Sequence, residues 1–161
     1  MQYLGYVSHP IDPAKRVLFF QCQNEPGMCE EWDPESGGNK AVVVEAEGAR
    51  TSVKPPRKGV TKLGGRWSGH IEMYSADSYS AAHIEVGDKR GYVLGQLGGS
   101  PDWIQDDETP ECPSCGRPMV LAAQLEEGPV HRTAMNFGGC GNAYVFVCPC
   151  PAGEARFLWQ C

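Results

Sequence analysis

Two short cysteine motifs near the end of the chain restrict how it can fold, because each could wrap around a metal ion. The first is Cys112-Pro113-Ser114-Cys115-Gly116 and the second is Cys148-Pro149-Cys150. Thiolates separated by two residues in a turn can face one tetrahedral ion, and Gly116 gives the backbone the freedom to point its amides at the sulfur atoms. We therefore predict a closed, structural zinc site, and its ligands are Cys112, Cys115, Cys148 and Cys150.

The spacing of these motifs leaves alternatives open. The interval between them exceeds the roughly 15–20 residues of a simple zinc ribbon, and it suits two loops that strands of one sheet bring together. Cys161 could replace Cys150, because a single-residue spacer between two ligands is tight. The same thiols could instead be buried without a metal, or be oxidised to a disulfide. A redox-active dithiol is disfavoured, since no helix is predicted to start at Cys112 and lower a thiol pKa.

The chain has eight cysteines, a number typical of small secreted domains that are stapled by disulfides. Residues 1–5 show neither the basic nor the apolar region of a secretion signal. The longest apolar runs, at 17–20 and 143–148, are far shorter than the roughly 20 residues of a membrane span. We therefore expect a cytoplasmic protein with reduced thiols that does not contact membranes. Three further thiols are expected to be small, buried apolar groups, with metal ligation as the alternative, and they are Cys22, Cys29 and Cys140.

The numbers of glycine and proline residues and the positions of the apolar runs predict the fold class. The chain contains 20 glycines and 13 prolines among its 161 residues, which disfavours long helices. Residues 83–86 and 91–94 flank Gly87-Asp88-Lys89-Arg90, which predicts a hairpin, and a short helix is expected around 75–82. Other apolar or alternating runs predict strands at 17–20, 41–44, 70–74, 119–125 and 143–147. We therefore predict a mainly β fold, of the α+β type with little helix.

A faint internal repeat suggests two related halves. Residues 3–7 and 18–22 form a pattern of strand, turn and strand that ends in Gln-Cys, and residues 144–148 and 157–161 form another. The identities are few, so a chance match is the alternative. We predict two related β-rich half-units around a shared core. The segments are an N-terminal partial half-unit at 1–47, a basic linker rich in proline and glycine at 48–66, and a C-terminal half-unit with the cysteine site at 67–161.

Two acidic segments each surround a tryptophan. The segments from Glu25 to Glu35 and from Asp102 to Glu111 contain half of the 20 acidic residues and no Lys or Arg. A Trp ring beside carboxylates suits an Arg- and Lys-rich polypeptide, through cation–π contacts and charge-assisted hydrogen bonds. The alternative is that both Trp side chains anchor the core and the acids are solvated. The predicted partner-binding residues are Trp32, Glu30, Glu31, Asp33, Trp103, Asp102, Asp106 and Asp107.

Sequence motifs for catalysis are absent. The chain has no phosphate-binding loop, dinucleotide fingerprint, nucleophile elbow or histidine pair at helical spacing. A net charge of −6 disfavours nucleic acid as a partner and suits a basic protein. The basic stretch at 48–71 is interpreted as a solvated loop rather than a phosphate contact. We therefore predict no enzymatic activity. The alternative is a thiol-dependent enzyme that uses Cys140, for example with His131, or the Cys112/Cys115 pair.

The C-terminal part of the chain resembles a known family. Five segments carry the resemblance in order, and they are 97–105, 112–116, 121–125, 141–146 and 159–161. Over residues 95–161 the chain is similar to the second half of the YwqG-like proteins, a bacterial domain of unknown function, and to the domain of eukaryotic programmed cell death protein two. Residues 1–48 resemble the end of the family's first half more weakly. The residues that match the family motifs are Gly98, Gly99, Pro101, Trp103, Cys112 and Cys115.

The resemblance implies a fold of two related β-rich halves and a binding or chaperone-like role, since the eukaryotic relatives escort a basic ribosomal protein. Some bacterial relatives are suspected immunity proteins against toxins. The resemblance implies no catalytic residue. The Gly-Gly-x-Pro opening of the family's first half is missing from this chain. A second chain could therefore complete the fold, and a homodimer is one such arrangement.

The leading hypothesis is a non-enzymatic protein-binding module, chaperone- or adaptor-like. Zinc would order the cysteine loops, which contain too little apolar surface to order themselves, and the acidic loops would meet a basic polypeptide. The alternative is an immunity protein that covers the active site of a toxin enzyme, with its acidic loops in place of substrate phosphates.

Overall fold

The computed structural model describes residues 1–23, 27–47, 71–88, 91–130 and 134–161, and these ranges are mainly β. Their elements are β1 (Gln2–Ser8), β2 (Lys15–Gln21), β3 (Asn39–Glu45), α1 (Tyr79–Asp88), β4 (Gly95–Leu97), β5 (Val120–Glu126), β6 (Asn142–Val147) and β7 (Ala155–Gln160). The strands form two antiparallel sheets, which we call the N-sheet (β1-β2-β3) and the C-sheet (β4-β5-β6-β7). The prediction of a mainly β fold with little helix is confirmed.

The N-sheet has one buried face, and buried and partly exposed side chains alternate along its central strand, β2. In β2, Val17 and Phe19 are buried, while Leu18 and Phe20 on the opposite face are partly exposed. The neighbouring strand β1 contains a bulge next to Gly5, and a Cβ at this glycine would meet the ring of Phe19 at 3.1 Å. Glycine therefore lets β1 pass close over the largest buried ring of the N-sheet.

The buried face of the N-sheet packs against one face of the C-sheet. Phe19 stacks on Phe157 of β7, with ring centroids 5.8 Å apart and planes 5° from parallel. Ala41 of β3 and Val145 of β6 lie in the same buried cluster. This shared core joins strands that lie far apart in sequence, so burial of its apolar surface holds the two sheets together.

The C-sheet is covered on its other face as well. Along β6, Val145 and Val147 belong to the shared core, whereas Tyr144 and Phe146 point to the opposite face. Because both faces are covered, residues 143–147 of β6 are apolar and buried in succession instead of alternating with polar residues. The buried residues on this opposite face, which we call the outer cluster, are Cys112, Met119, Leu121, Tyr144, Phe146, Cys148, Cys150 and Leu158. Three of the four predicted metal ligands therefore form part of the cover of the C-sheet.

Several predicted strands are confirmed. The runs at 17–20, 41–44, 119–125 and 143–147 fall on β2, β3, β5 and β6. The strand predicted at 70–74 is wrong for its described residues, 71–74, which have no regular secondary structure.

The predicted hairpin of residues 83–86 and 91–94 is also wrong. Residues 83–86 lie in α1, and residues 91–94 precede β4 without forming a strand. The physical reason is that Tyr79 and His83, which are one helical turn apart, both reach Oε1 of Glu126 at the end of β5. The Tyr79 hydroxyl donates at 2.5 Å, and Nε2 of His83 lies at 2.8 Å. The helix predicted around 75–82 overlaps the first four residues of α1. The described part of the chain has no helix with the length and apolar character needed to cross a membrane.

The internal repeat falls on two antiparallel hairpins. Its first copy corresponds to β1 and β2, and its second copy corresponds to β6 and β7. Each copy places a buried glutamine at the end of its second strand, Gln21 and Gln160. The linker predicted at 48–66 lies outside the described residues. The domain boundaries at 1–47 and 67–161 stay predictions.

Candidate metal centre

The first cysteine turn is shaped by backbone hydrogen bonds. Glu111 and Pro118 form an isolated antiparallel bridge at its base. Inside the turn, the amide of Cys112 donates to the carbonyl of Arg117 at 2.9 Å, and the amide of Gly116 donates to the carbonyl of Cys112 at 2.8 Å. Gly116 has a φ of +68°, which glycine adopts without steric strain. The sequence Cys-Pro-Ser-Cys-Gly is therefore matched to a tight turn at this position.

The second cysteine turn closes the β6–β7 hairpin. Cys148 follows β6 directly, and its amide donates to the carbonyl of Glu154 at 2.8 Å. The amide of Gly153 donates to the carbonyl of Cys150 at 3.0 Å. Cys148 continues the alternation of Tyr144 and Phe146, so its side chain joins the outer cluster.

The four predicted ligands converge. The sulfur atoms of Cys112, Cys115, Cys148 and Cys150 all lie within 4.8 Å of one another, and this group could hold a metal ion. The Cys112–Cys150 sulfur atoms are 3.8 Å apart, and the Cys115–Cys148 sulfur atoms are 3.5 Å apart. Four thiolates at about 2.3 Å from a tetrahedral ion are about 3.8 Å from each other, whereas disulfide sulfur atoms are about 2.05 Å apart. The distances fit a tetrahedral metal site rather than a disulfide.

Cys161 does not belong to this group. It directly follows β7, whereas the second cysteine turn precedes the opposite end of that strand. Its sulfur lies beside Gly138. The alternative in which Cys161 replaces Cys150 therefore does not fit the geometry. Among the four converging thiols, Cys115 alone is exposed, and the other three are buried.

The electrostatic surroundings of the sulfur atoms differ. A hydrogen bond from Arg117 lowers the pKa of the exposed Cys115 thiol to about 6. The amide of Cys150 acts to lower the pKa of Cys148, but burial and hydrogen bonds with the neighbouring thiols outweigh it and raise this pKa to about 12. A bound cation would favour the thiolate at both positions, because metal-ligating thiols are deprotonated. Before a metal binds, the Cys115 sulfur is therefore already favoured as a thiolate.

Side-chain contacts tie the first cysteine turn to the N-terminal part of the chain. The Ser114 hydroxyl donates to Oε1 of Glu154 at 2.9 Å, and Oε2 of Glu154 lies 3.6 Å from Nη1 of Arg156. Nε of Arg156 then donates to Oε1 of Glu35 at 2.7 Å. These contacts link the two cysteine turns, β7 and the first acidic segment in one series.

Trp103 packs against the outer cluster. Its ring is half-buried, and its centroid lies 4.4 Å from that of Tyr144 and 5.8 Å from that of Phe146. This placement corresponds to the alternative in which the Trp anchors the core. The Trp103 ring therefore anchors the second acidic segment to the outer cluster.

Buried glutamines order residues 102–108, which we call the Trp103 loop. Oε1 of Gln124 accepts a hydrogen bond from the Asp102 amide at 2.8 Å. Oε1 of Gln160 accepts from the Gln105 amide at 3.0 Å, and its Nε2 donates to the Asp106 carbonyl at 2.9 Å. Both glutamines were missed from the sequence, although a polar residue inside an apolar strand is the signal that could have found them. The predicted carboxylates of this loop, Asp102, Asp106 and Asp107, are exposed.

Glu31 does not have the predicted role on the surface of residues 27–38, which we call the Trp32 loop. Its side chain is buried, with 1 % of the residue exposed. Its carboxylate accepts hydrogen bonds from the amides of Gly27 at 2.5 Å and Cys29 at 3.2 Å. These bonds satisfy the buried carboxylate, so Glu31 organises the loop and does not face a partner.

The other predicted residues of the Trp32 loop are more accessible. Trp32 is 41 % exposed, and its ring meets Trp159 edge-on with centroids 6.0 Å apart. Glu30 is exposed and Asp33 is half-buried. The Asp33 carboxylate accepts from the Glu35 amide at 2.7 Å, which stabilises the turn. Trp32, Glu30 and Asp33 therefore remain available at the surface.

Three of the four thiols outside the converging group were predicted to be buried, and they are less buried than predicted. Cys140 is exposed and has a φ of +71°, because it lies in a turn between glycines. Cys22 and Cys29 are half-buried, and their sulfur atoms are 3.1 Å apart. His131, the residue considered as a partner for Cys140, lies outside the described residues.

Comparison with curated proteins finds a short similarity. The chain is 39% identical over 57 residues to "Uncharacterized protein YpfL" of Salmonella typhimurium (strain LT2), and the match covers 35% of this chain and 13% of that protein. No family model matches the chain. No solved structure matches it. The resemblance to YwqG-like proteins stays a prediction.

Proposed function

We propose that this chain is a non-enzymatic protein-binding module, chaperone- or adaptor-like, that folds around a structural zinc ion and presents acidic loops to a basic polypeptide. The convergence of four cysteine sulfur atoms beside the C-sheet carries the proposal. A site closed by four protein ligands leaves no position for a reacting water, so its role is to stabilise the fold.

Zinc is the ion that best suits these donors. Soft thiolate ligands select zinc, copper(I) or iron–sulfur clusters, and a tetrahedral set of four thiolates is typical of zinc or iron–sulfur centres. The sulfur separations of 3.5 Å and 3.8 Å fit a single tetrahedral ion. A cluster of several metal atoms would hold its ligands further apart.

The ion would stabilise the outer cluster. The first cysteine turn and the Trp103 loop belong to a segment, residues 98–119, that has no helix and no strand beyond the Glu111–Pro118 bridge. This segment nevertheless covers Tyr144 and Phe146 on the C-sheet. A metal bond between the segment and the β6–β7 hairpin offsets the conformational entropy lost when the segment is ordered.

Adjacent residues of β7 hold both acidic loops. The Trp159 amide donates to the Trp32 carbonyl at 3.4 Å, while the Gln160 side chain binds the backbone of Gln105 and Asp106. Both loops therefore contact the last two residues of β7. Their exposed carboxylates and the partly exposed Trp32 ring support a binding surface for Arg- and Lys-rich polypeptide.

Titration with an arginine-rich peptide tests the binding role. We expect binding that weakens with added salt, and a Glu-rich peptide of equal length should not bind. Neutralising three exposed carboxylates of the Trp103 loop, in the variant D102N/D106N/D107N, should weaken binding by about tenfold, because each exposed ion pair contributes up to about 1 kcal/mol.

A matched control removes the same charge elsewhere. The variant E45Q/E47Q/D77N neutralises three exposed acids outside both acidic loops. It should bind the arginine-rich peptide almost as well as the unchanged protein. Equal losses of peptide affinity in both triple variants would show that net charge alone governs the interaction and would contradict a dedicated surface.

Capture of binding partners from cells separates the immunity role from the chaperone role. Capture of one tight partner would favour the immunity role, and capture of many basic chains would favour the chaperone role.

A thiol-dependent activity is the second candidate, and the environment of Cys115 favours it. This thiol is exposed, and Arg117 lowers its pKa to about 6, so the metal-free protein would hold a thiolate at neutral pH. Alkylation kinetics separate the two functions. Rapid alkylation of Cys115 in the protein as purified would support thiol chemistry, whereas protection that is lost on chelation would support the zinc site.

A further inference from the structure

Cys22 and Cys29 form a second thiol pair, which is separate from the converging four. Cys22 follows β2, and its amide donates to the carbonyl of Gly38 at 2.7 Å. Cys29 lies on the Trp32 loop, and its amide donates to Oε2 of the buried Glu31 at 3.2 Å. A Cβ at Gly38 would overlap the carbonyl oxygen of Cys29, so this glycine allows the two stretches of backbone to approach closely. A hydrogen bond from its own backbone amide therefore helps to position each cysteine.

The distance between the two sulfur atoms indicates what the pair can do. At 3.1 Å they are closer than the separation of about 3.5 Å at which non-bonded heavy atoms normally rest. A covalent bond of about 2.05 Å would require the two sulfur atoms to approach by about 1 Å more. Within the described residues, these thiols do not belong to a group of three or more metal-ligating side chains. The geometry suits a disulfide better than a metal.

We propose that Cys22 and Cys29 are an oxidation site, which a peroxide converts to a reversible disulfide. One thiolate attacks the peroxide, so that a sulfur–oxygen bond forms, the oxygen–oxygen bond breaks and water leaves. The second thiolate then attacks the sulfenic sulfur, which forms the sulfur–sulfur bond and releases the oxygen as a second water. The two thiols lose two electrons and two protons in total, and hydrogen peroxide takes them up as it becomes two waters.

The disulfide would fasten the Trp32 loop to the end of β2. The loop carries the exposed Trp32 ring, which contacts Trp159 beside the shared core. Cross-linking would restrict the opening of this loop in both the folded and the unfolded chain. We therefore expect the oxidised protein to unfold at a higher temperature than the reduced protein.

Peptide mapping provides the test, because Cys22 and Cys29 are the two cysteines of a single tryptic peptide, residues 17–40. The full-length, zinc-supplemented protein is treated with hydrogen peroxide, alkylated with iodoacetamide and digested. We expect this peptide to lose the mass of two hydrogen atoms and to carry no alkyl group, and dithiothreitol should restore double alkylation. Oxidation of Met28, which is exposed in the same peptide, adds oxygen and is distinguished by mass.

Two variants complete the test. Cys22→Ser should abolish the internal disulfide and leave Cys29 as a sulfenic acid that reacts with dimedone, whereas Cys140→Ser should leave the disulfide unchanged. If Cys22→Ser does not fold, the unchanged protein still decides the question through its own peptide. The proposal is overturned if residues 17–40 stay doubly alkylated at peroxide concentrations that oxidise Cys140, or if the peptide is recovered joined to another cysteine peptide.

Discussion

The sulfur atoms of Cys115 and Cys148 lie 3.5 Å apart, although 33 positions separate the two residues in the chain. The C-sheet produces this contact, because β6 delivers Cys148 to its outer face while the Trp103 loop and the first cysteine turn cover that face. A metal ion at this point would therefore connect the most irregular part of the described chain to its most deeply buried strand.

Arg117 is expected to tune the metal site. Replacing it with Met removes the hydrogen bond to the Cys115 sulfur but leaves the backbone contacts of the turn in place. We expect zinc affinity to fall by about tenfold, the lower range for loss of a partner that supports a ligand. Competition with a chromophoric chelator measures this change. Arg117→Lys keeps the positive charge and should lose less zinc affinity than Arg117→Met. Equal zinc affinity in the unchanged protein and both variants would contradict the role of Arg117.

Trp103 is expected to stabilise the fold. Trp103→Ala removes a half-buried ring that packs on Tyr144 and Phe146, so the free energy of unfolding should fall by about 2–4 kcal/mol. Trp32→Ala is the matched control, since that ring is 41 % exposed and should cost about 1 kcal/mol or less. Urea unfolding measures both values. A larger loss for Trp32 would show that the anchor of the core has been misassigned.

Gln160 is expected to order the Trp103 loop. Gln160→Met keeps a similar volume but removes the hydrogen bonds to Gln105, Asp106 and Glu108. The free energy of unfolding should fall by about 1–3 kcal/mol, because partly buried backbone groups are left unsatisfied. Hydrogen exchange at the Gln105 amide should also accelerate. Gln105→Met alters an exposed side chain in the same loop and should leave that amide protected; if Gln160→Met leaves it equally protected, the glutamine does not hold the loop.

His9 is expected to make the β1–β2 hairpin sensitive to acid. Its Nδ1 accepts hydrogen bonds from the amides of Ile11 and Asp12, at 3.3 Å and 3.1 Å, which requires this nitrogen to be unprotonated. Burial lowers the pKa of His9 below its ordinary 6.5, against the attraction of Asp12 and together with the repulsion of Lys15. The unfolded chain therefore binds more protons as the pH falls through 6.5, so acid favours unfolding.

The measurement is the free energy of unfolding as a function of pH. The contribution of His9 should be complete above pH 6.5 and should decrease below it. His9→Asn supplies an uncharged acceptor for the same turn and should remove this part of the pH dependence. An unchanged pH profile in His9→Asn would assign the acid sensitivity to other groups.

Much of the fold could be predicted from the sequence, because the strands carry local signals. Residues 17–20 and 143–147 are apolar runs of strand length, and the structure places them within β2 and β6. The segment around His83 could not be assigned in this way. Its alternating pattern fits a strand, but the contacts of Tyr79 and His83 with Glu126 favour a helix, and those contacts come from a residue far along the chain.

The cysteine group was predictable for a different reason. The Cys-Pro-Ser-Cys-Gly turn is a local motif that the sequence shows directly. The other two ligands required only a hairpin whose turn contains Cys148 and Cys150. The opposite roles of two neighbouring acids in the Trp32 loop were not predictable. Glu30 is exposed whereas Glu31 is buried under loop amides, and this depends on backbone geometry that composition does not encode.

Cysteine substitutions separate the metal site from the other thiols. Cys148→Ser should abolish stoichiometric metal binding and should destabilise the outer cluster, because a tetrahedral site loses a buried ligand. Cys140→Ser removes an exposed thiol outside the site and should keep the full metal content. Elemental analysis after purification without added metal compares the two. Equal metal content in both variants would exclude Cys148 as a ligand.

The most direct measurement combines metal content with the response to a strong chelator. Protein purified without added metal should contain a single zinc ion per chain, and removal of that ion should abolish the near-ultraviolet circular dichroism of Trp103 and Tyr144 as the outer cluster loosens. Protein with only traces of metal, and with an unchanged spectrum and unfolding midpoint in the chelator, would contradict a structural metal site.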